Sequence, residues 1–375
     1  MQNLIIHFSK VEEPRKHWNQ KHKLIDIIVI TVCAAICGYK SWYDIVAFAK
    51  VELEWLKQWL ELPNGIPSHD TFRRVFSMLK PDSLENAFRN WVRSMVELPE
   101  GTHLAFDGKA SCGTGKQGEP EYVHMVGVYA SELGLSIAQL KVEHKKSEIQ
   151  AIKDLVKTVD VKDCVITIDA IACKRPVFDA ITEAGAHYII NVKKNCRRLY
   201  EDIEASTCSV MPYDSAHEHI DFGHGRIETR KIMVYSDLDY VRGSAGRAGF
   251  NAIIKLESIR HDKKSGKEKT EVRYYMTDLR GSSAETLGGY IRAHWSIENN
   301  LHWMLDVLWD EDNCRKRKNH EGENISRIRR LALNMLTACK EEFPGFEKIK
   351  MRMIRAQLDR AYRERVLTSV LAAKA

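Results

Sequence analysis

The segment His103-Leu-Ala-Phe-Asp-Gly-Lys109 sets three apolar residues directly before an acid and a glycine directly after it. A short apolar run bounded by turn residues reads as a buried strand. A carboxylate at the end of such a strand is held on a rigid element, as metal chemistry requires. Gly108 allows backbone or a ligand to come close beside it. Taken alone, Asp107 reads equally well as a turn cap. The pattern recurs in Cys164-Val-Ile-Thr-Ile-Asp-Ala170, where Asp169 closes a second apolar strand. Two strands that each deliver one carboxylate to their ends suggest a shared site.

Outward from these strands the chain alternates. A glycine-rich turn (Gly113, Gly115, Gly118) leads to strand-like 123–129 and 135–142, which Ser131-Glu-Leu-Gly134 joins as a hairpin. Residues 148–159 read as a helix, 165–168 as the strand before Asp169, 177–184 as a helix closed by Gly185, and 187–192 as a strand. This order predicts an α/β fold, with parallel βαβ units beside an antiparallel hairpin in one mixed sheet flanked by helices. Between about 205 and 285 the runs 227–235, 251–258 and 270–277 form a β-rich insertion.

Residues 1–100 read as a helical N-terminal domain. Ser68-His-Asp-Thr71 caps a helix through Phe72, Val75, Phe76 and Leu79, with Arg73 and Arg74 off its apolar stripe. A DNA-binding helix-turn-helix and a plain bundle with a solvated basic face both fit. Residues 101–340, which carry both acids, are expected to form a catalytic domain, and 341–375 a basic helical tail, in which eight Lys or Arg from Gly345 onward outnumber three acids.

Ser283 starts a helix expected to run through Leu308. At 100° per residue, Glu298 falls on the line of Ile291, Leu305 and Trp309, beside His294, Trp295, Leu301 and His302. A carboxylate within a packed stripe calls for an ion pair, a hydrogen bond to His302, or a metal. Asp306, Glu311 and Asp312 are the alternatives to Glu298 as a third ligand. Three carboxylates from two strands and a helix make a hard, oxygen-rich site suited to Mg²⁺ or Mn²⁺ rather than zinc. Two such ions, roughly 3.5–4 Å apart, clamp the attacking and leaving oxygens of an in-line phosphoryl displacement. The chain has no P-loop and no G-x-S-x-G, so nucleotide-loop and serine-hydrolase chemistry are not indicated.

The net charge of +6 permits a polyanionic partner without demanding one. Nine cysteines are scattered without paired spacing, and Cys33 with Cys37 has no second pair to complete a zinc site, so all read as reduced packing residues. No charged-then-apolar leader opens the sequence, and the longest apolar run, 25–38, is broken by Asp26 and too short for a bilayer. The expectation is a cytoplasmic protein with no membrane partner.

With Asp107, Asp169 and Glu298 assembled, the chain resembles insertion-sequence transposases of the DDE type, and among them the H-repeat-associated transposases of bacteria. The matching stretches are Trp42-Tyr-Asp-Ile45, Gly65-Ile-Pro-Ser-His-Asp-Thr71, Phe106-Asp-Gly-Lys109, Ile168-Asp-Ala170, His224-Gly-Arg226 with Glu228 and Arg230, His294-Trp-Ser-Ile-Glu-Asn299 and Leu301-His-Trp303. The resemblance implies a ribonuclease-H-like catalytic fold with a β-strand insertion before the last catalytic helix. It implies that Asp107, Asp169 and Glu298 hold two Mg²⁺ or Mn²⁺ ions. Water would cleave the element ends, and the freed 3′-hydroxyl would attack target DNA. It also implies a homodimer on double-stranded DNA, in the bacterial cytoplasm and associated with the nucleoid. The chain departs from related families that carry Tyr, Arg and Lys seven before, four before and seven after the glutamate. Ile291, His294 and Leu305 stand there, with Arg292 six before.

The candidate DNA contacts are Arg73, Arg74, Arg226, Arg230, Arg292, His294 and the run Arg315-Lys-Arg-Lys318. Basic clusters beside a metal site would draw in the phosphate backbone. Arg327, Arg329 and Arg330 continue the run, and Arg352, Arg355, Arg360, Arg363 and Arg365 repeat it in the tail. Solvated helix faces, and for Arg230 a local pair with Glu228, account for the same residues. A nuclease of the same fold without strand transfer, and a DNA-binding relic of an inactive element, are the alternative functions.

Overall fold

Three strands follow the N-terminal helices: β1 (His103–Ser111), β2 (Val123–Ala130) and β3 (Leu135–Val142), each antiparallel to the next. Gly134, at φ +71°, makes the second turn. The computed structural model describes residues 1–115, 122–142, 148–221, 226–239, 241, 250–339, 345 and 347–369, with backbone alone at 19, 219–221 and 226. Gly118 and His224 lie outside the described residues, and the Arg226 side chain is not described.

Helix α7 (Glu148–Thr158) leads to β4 (Val165–Ile168), and α8 (Arg175–Glu183) to β5 (His187–Val192). Both strands are parallel, β4 to β1 and β5 to β4, as the alternation predicts. After α9 (Arg197–Ser209) come β6 (Asp214–Asp221), β7 (Arg226–Tyr235), β8 (Ala252–Asp262) and β9 (Glu268–Thr277). Among the described residues these nine strands form one sheet, ordered β3-β2-β1-β4-β5-β9-β8-β7-β6. The β-rich segment therefore extends the same sheet, because β9 pairs antiparallel with β5 from Ile189↔Thr277 to Val192↔Tyr274. Strand β6 gave no sequence signal. It is an edge strand rich in charge (Asp214, His217, Glu218), without the apolar run that marks a buried one.

The helix expected from Ser283 through Leu308 is interrupted. Helix α10 (Ala284–His294) is capped by the Ser283 hydroxyl, which accepts the Thr286 N–H at 3.2 Å. Residues Ile297–His302 then form a π-helical turn, followed by α11 (Trp303–Trp309). The wider turn shifts the frame of every later residue. Ile297, Leu301, Leu305 and Trp309 go to the core, and Glu298 is exposed rather than on the packed stripe.

Helix α12 (Glu321–Ala338) is buried along nearly its whole length. It packs against β3 and three N-terminal helices, α2 (Leu24–Ile36), α5 (His69–Met78) and α6 (Pro81–Met95). This corrects the reading of its arginines as surface cations. Arg327, Arg329 and Arg330 are 2%, 3% and 1% exposed. Arg327 Nε donates to Glu85 Oε2 at 3.0 Å, and Arg330 Nη1 to Glu311 Oε1 at 3.4 Å. The tail folds as α13 (Ile349–Leu358) and α14 (Arg360–Thr368), whose arginines are also used internally. Arg352 donates to the carbonyls of Leu336, Thr337 and Cys339, satisfying the C-terminus of α12. Arg360 pairs with Glu52 at 2.7 Å, and Arg363 is buried beside the same carboxylate.

All nine cysteines are free thiols, six of them buried. No helix among the described residues is long and apolar enough to cross a membrane.

Asn334 links α12 to β3 by a two-way bond: its Oδ1 accepts the Ser136 N–H at 2.9 Å and its Nδ2 donates to Ser136 O at 2.8 Å. Asn334→Ala leaves both backbone groups buried and unpaired. It is expected to lower the free energy of unfolding by roughly 2–6 kcal/mol, at about 1–3 kcal/mol for each of the two unsatisfied groups. Urea denaturation of the two proteins measures it, and equal midpoints would rule out this role.

Candidate active site

The strand register puts two acids side by side. Parallel pairing of β1 with β4 runs from His103↔Val165 to Phe106↔Ile168. Asp107 and Asp169 each follow the last pair. Neighbouring strands lie about 4.8 Å apart, so the two carboxylates emerge together at the C-terminal edge of the parallel strands, where open α/β sheets hold ligands. Asp107 does not end its strand, since β1 pairs with β2 as far as Ser111↔Val123. Glu298, on the π-turn, lines the same cavity of ≈ 190 Å³. Sequence reasoning reached these three residues, and the structure brings them to one cavity. Asp306 and Asp312 instead pair with Lys109 at 2.7 and 3.1 Å, and Glu311 pairs with Arg329 and Arg330. None of these three alternative acids lines the cavity.

The two aspartates differ electrostatically. Burial raises the Asp107 carboxyl to about 7, and the charges of Glu298, Asp169 and Glu148 add to the shift. The Gly108 N–H, 2.9 Å from Asp107 Oδ1, opposes it. Burial pushes Asp169 up as well, but the Lys193 ammonium, 2.9 Å from its Oδ1, holds it below the ordinary carboxylate range overall. Gly108 meets a packing need on the other side of the strand. A Cβ there would lie 2.6 Å from both Glu148 Oε1 and His124 Nε2.

A buried hydrogen-bond chain ties the acid-bearing elements together. Ser131 Oγ meets His103 Nδ1 at 2.7 Å, His103 Nε2 meets Thr167 Oγ1 at 2.7 Å, and Thr167 Oγ1 meets His294 Nδ1 at 2.8 Å. Ser296 donates to Ser131 at 2.8 Å. The chain thus spans β1, β4 and the end of α10. Burial depresses His103 to about 3 and His294 to about 4, so both rings are neutral at pH 7. His294 therefore belongs to the cavity wall and supplies no positive charge to phosphate. At the other two departing positions, Ile291 and Leu305 are core residues, 4% and 0% exposed.

The cavity also contains residues that sequence reasoning missed: Lys193, Asn191, Glu271, Arg273 and Tyr275. One signal was present. Lys193 directly follows the apolar strand β5, repeating with a base the strand-then-acid pattern of β1 and β4. Arg273 gave none, because it comes from β9. It pairs with Glu271 at 2.7 Å and stacks over the Trp295 ring at 5.0 Å. A second cavity of ≈ 470 Å³ shares Arg273, Ile291 and Trp295 with the first. It contains Arg230 and Arg292, each held by an acid: Arg230 by Glu228 at 2.8 Å and Arg292 by Glu218.

A family described as "Transposase DDE domain" matches residues 97–335, well over half the chain, and one described as "DDE_Tnp_1-associated" matches residues 5–92. The chain belongs to the DDE transposase family. "Putative transposase YncI" of Escherichia coli O157:H7 is 34% identical over 378 residues, covering 98% of this chain and 95% of that protein. "H repeat-associated putative transposase YhhI" of E. coli K12 is 33% identical over 380 residues, covering 99% and 98%. A solved piggyBac transposase synaptic complex with hairpin DNA aligns at TM-score 0.44 and 14% identity, over 100% of this chain and 82% of that one, a likeness too slight to build on.

Among the described residues of this DDE-family chain, no three His, Cys, Asp or Glu side chains already converge as a metal cluster. The donor set nonetheless fits a divalent cation. Three acids share one cavity, Asp107 resists ionisation beside the other two, and Asp169 already draws positive charge from Lys193.

Proposed function

We propose that the chain is an insertion-sequence transposase with a ribonuclease-H-like catalytic core, which cuts the ends of its element and joins them to target DNA. The observation that carries this reading is the register that sets Asp107 and Asp169 one residue past the last parallel pair, facing Glu298 across one cavity. Asp107, Asp169 and Glu298 would hold two Mg²⁺ or Mn²⁺ ions. Bound there, the cations supply Lewis-acid stabilisation of charge on the oxygens of a phosphodiester displacement. In the first reaction water adds to phosphorus and the 3′-oxygen leaves with a proton, giving a free 3′-hydroxyl and a 5′-phosphate. In the second that hydroxyl attacks a target phosphodiester and displaces the target's own 3′-oxygen, so no external energy source is needed.

The chain's own residues prepare the site. Lys193 and Arg273 are the cations lining the cavity and suit the non-bridging phosphate oxygens. The His103–Thr167–His294 chain fixes the strands and α10 relative to one another. The partner is double-stranded DNA, both element ends and target, engaged by a homodimer.

The test is a nicking and joining assay with the full chain, DNA carrying the ends that flank its gene, and Mg²⁺ or Mn²⁺. Wild type is expected to nick and join. Glu298→Gln is expected to bind the ends with little change and cut none. Joining of pre-nicked ends distinguishes a transposase from a simple nuclease. Binding with no cutting in either metal would leave a DNA-binding relic as the answer.

A further inference from the structure

The fold sorts the basic clusters into two kinds. The arginines of α12 are buried against Glu85 and Glu311, and those beside the catalytic cavity are paired with Glu218, Glu228 and Glu271. The remaining cluster is different. An open groove of ≈ 640 Å³ lies between the N-terminal helices and the loop before α12, lined by Arg73 of α5 and by Arg315, Lys316, Arg317 and Lys318. The side chains of Arg73, Arg315 and Lys318 are exposed and make no ion pair or hydrogen bond among the described residues.

The loop is nonetheless held rigidly. Lys316 Nζ donates to Lys40 O at 2.8 Å and lies 5.1 Å over the Trp42 ring. Arg317 Nε donates to Gly113 O at 3.0 Å, and Gly113 N–H to Asp312 O at 2.6 Å. A Cβ on Gly113 would lie 2.6 Å from that carbonyl, so the loop backbone is clamped to the chain leaving β1. Of the two acids in the groove, Glu321 accepts from Trp42 Nε1 at 2.6 Å and is 3% exposed, while Asp70 lies beside His69 at 3.5 Å. Tyr43, 68% exposed, stacks on His69 with ring centroids 4.2 Å apart. The contacts of Lys316 and Arg317 fix the loop, and Arg315 and Lys318 beside them have no acid paired with their charge, so a polyanion is the partner that offsets the repulsion within the run.

We propose that this groove grips the sugar–phosphate backbone of the duplex being cut at Asp107, Asp169 and Glu298, a proposal that rests on the transposase reading. The commitment to that duplex follows from the clamp. Six residues separate Asp107 from Gly113, on the order of 15–20 Å at about 3.3 Å per strand residue. At about 3.4 Å per nucleotide of duplex, the groove contacts phosphates roughly four to six positions from the scissile one. Arginine and lysine contacts of this kind position DNA without reading its sequence.

The test uses the full chain with Arg73→Ala, Arg315→Ala and Lys318→Ala combined, a labelled duplex carrying the element end, and fluorescence anisotropy over a salt series. Losing three phosphate contacts is expected to make the slope of log affinity against log salt shallower by about 2–3, at about 0.9 per contact. The charge-conserving set Arg73→Lys, Arg315→Lys and Lys318→Arg is expected to keep the wild-type slope. Both sets change exposed side chains, and equal thermal midpoints confirm the fold. With pre-nicked end held near the wild-type dissociation constant, joining to a plasmid is expected to fall for the alanine set and to hold for the charge-conserving set. An unchanged slope for the alanine set overturns the proposal. So does an unchanged slope with reduced joining, which would assign the groove to the target duplex. Wild-type nicking in the same preparation reports separately on the transposase reading, so the two can fail independently.

Discussion

Asp107→Asn is expected to abolish nicking and joining, by at least about 10³-fold if the carboxylate is a metal ligand, and at the same time to stabilise the metal-free fold above neutral pH. The second effect follows from linkage. The Asp107 carboxyl has an ordinary value of 3.8 and is raised to about 7 in the folded chain. Between those values the unfolded chain has lost its proton and the folded chain keeps it. The folded state binds more protons there, so stability falls as pH rises from about 4 to about 7 and stays low above. A gap of about three pKa units corresponds to roughly 4 kcal/mol at most. Asparagine keeps the shape and cannot ionise. In EDTA, the variant and wild type should unfold at similar temperatures near pH 4, and the variant several degrees higher at pH 8. Mg²⁺ or Mn²⁺ at pH 8 should raise the wild type and close the gap, because a bound cation stabilises the ionised carboxylate. Equal midpoints in EDTA at pH 8 would contradict the electrostatic account, and an active variant would remove Asp107 from the site. Function here works against stability, as at sites that hold like charges together.

Arg327→Met is expected to be the most destabilising single change outside the cavity, at roughly 3–5 kcal/mol. Arg327 and Glu85 are 2% and 4% exposed, and they join α12 to α6 through one hydrogen-bonded pair at 3.0 Å. Glu85 also accepts the Gln139 N–H of β3 at 2.9 Å, so it cannot swing out to water without breaking that bond. Burial already raises the Glu85 carboxyl, with Arg327 the main opposing charge. Without the guanidinium the carboxyl rises further, so by the same linkage the loss should be greater at pH 8 than at pH 5. Adding Glu85→Gln should recover part of it, since a neutral amide leaves no buried charge. Guanidinium denaturation of the four proteins of this cycle at both pH values measures these terms. A loss below about 1 kcal/mol would show that the pair tolerates opening to water.

Several readings from sequence rested on local chemistry and agree with the structure. The strands that carry Asp107 and Asp169 were legible because each is an apolar run with a charge at a fixed place, and the hairpin because Gly134 supplies a turn that other residues resist. The Ser68 cap on α5 was legible for the same reason, with its hydroxyl accepting the Thr71 N–H at 3.3 Å. Glu298 was reached as a carboxylate on a packed apolar stripe, a placement on an α-helical frame that the π-turn displaces to leave it exposed. No residue type marks such a turn, and the two residues within it that are fully buried, Ile297 and Leu301, would suit an α-helical core stripe equally well.

The amino-acid sequence by itself determined the order of strands and helices apart from α9, β6 and the break after α10, the acids that end up together, and the family. Each of these depends on residues near one another in the chain or on motifs copied along it. Only the tertiary structure decided which charges face solvent. Arg327 and Arg315 look alike in the sequence, yet Glu85 neutralises the first across 242 positions and nothing described pairs with the second. Lys193 and Arg273 reach the cavity of Asp107, Asp169 and Glu298 in the same way, because β5 and β9 are neighbours only in the folded sheet. Burying a charge is affordable only beside its partner, and that partner is supplied by the fold.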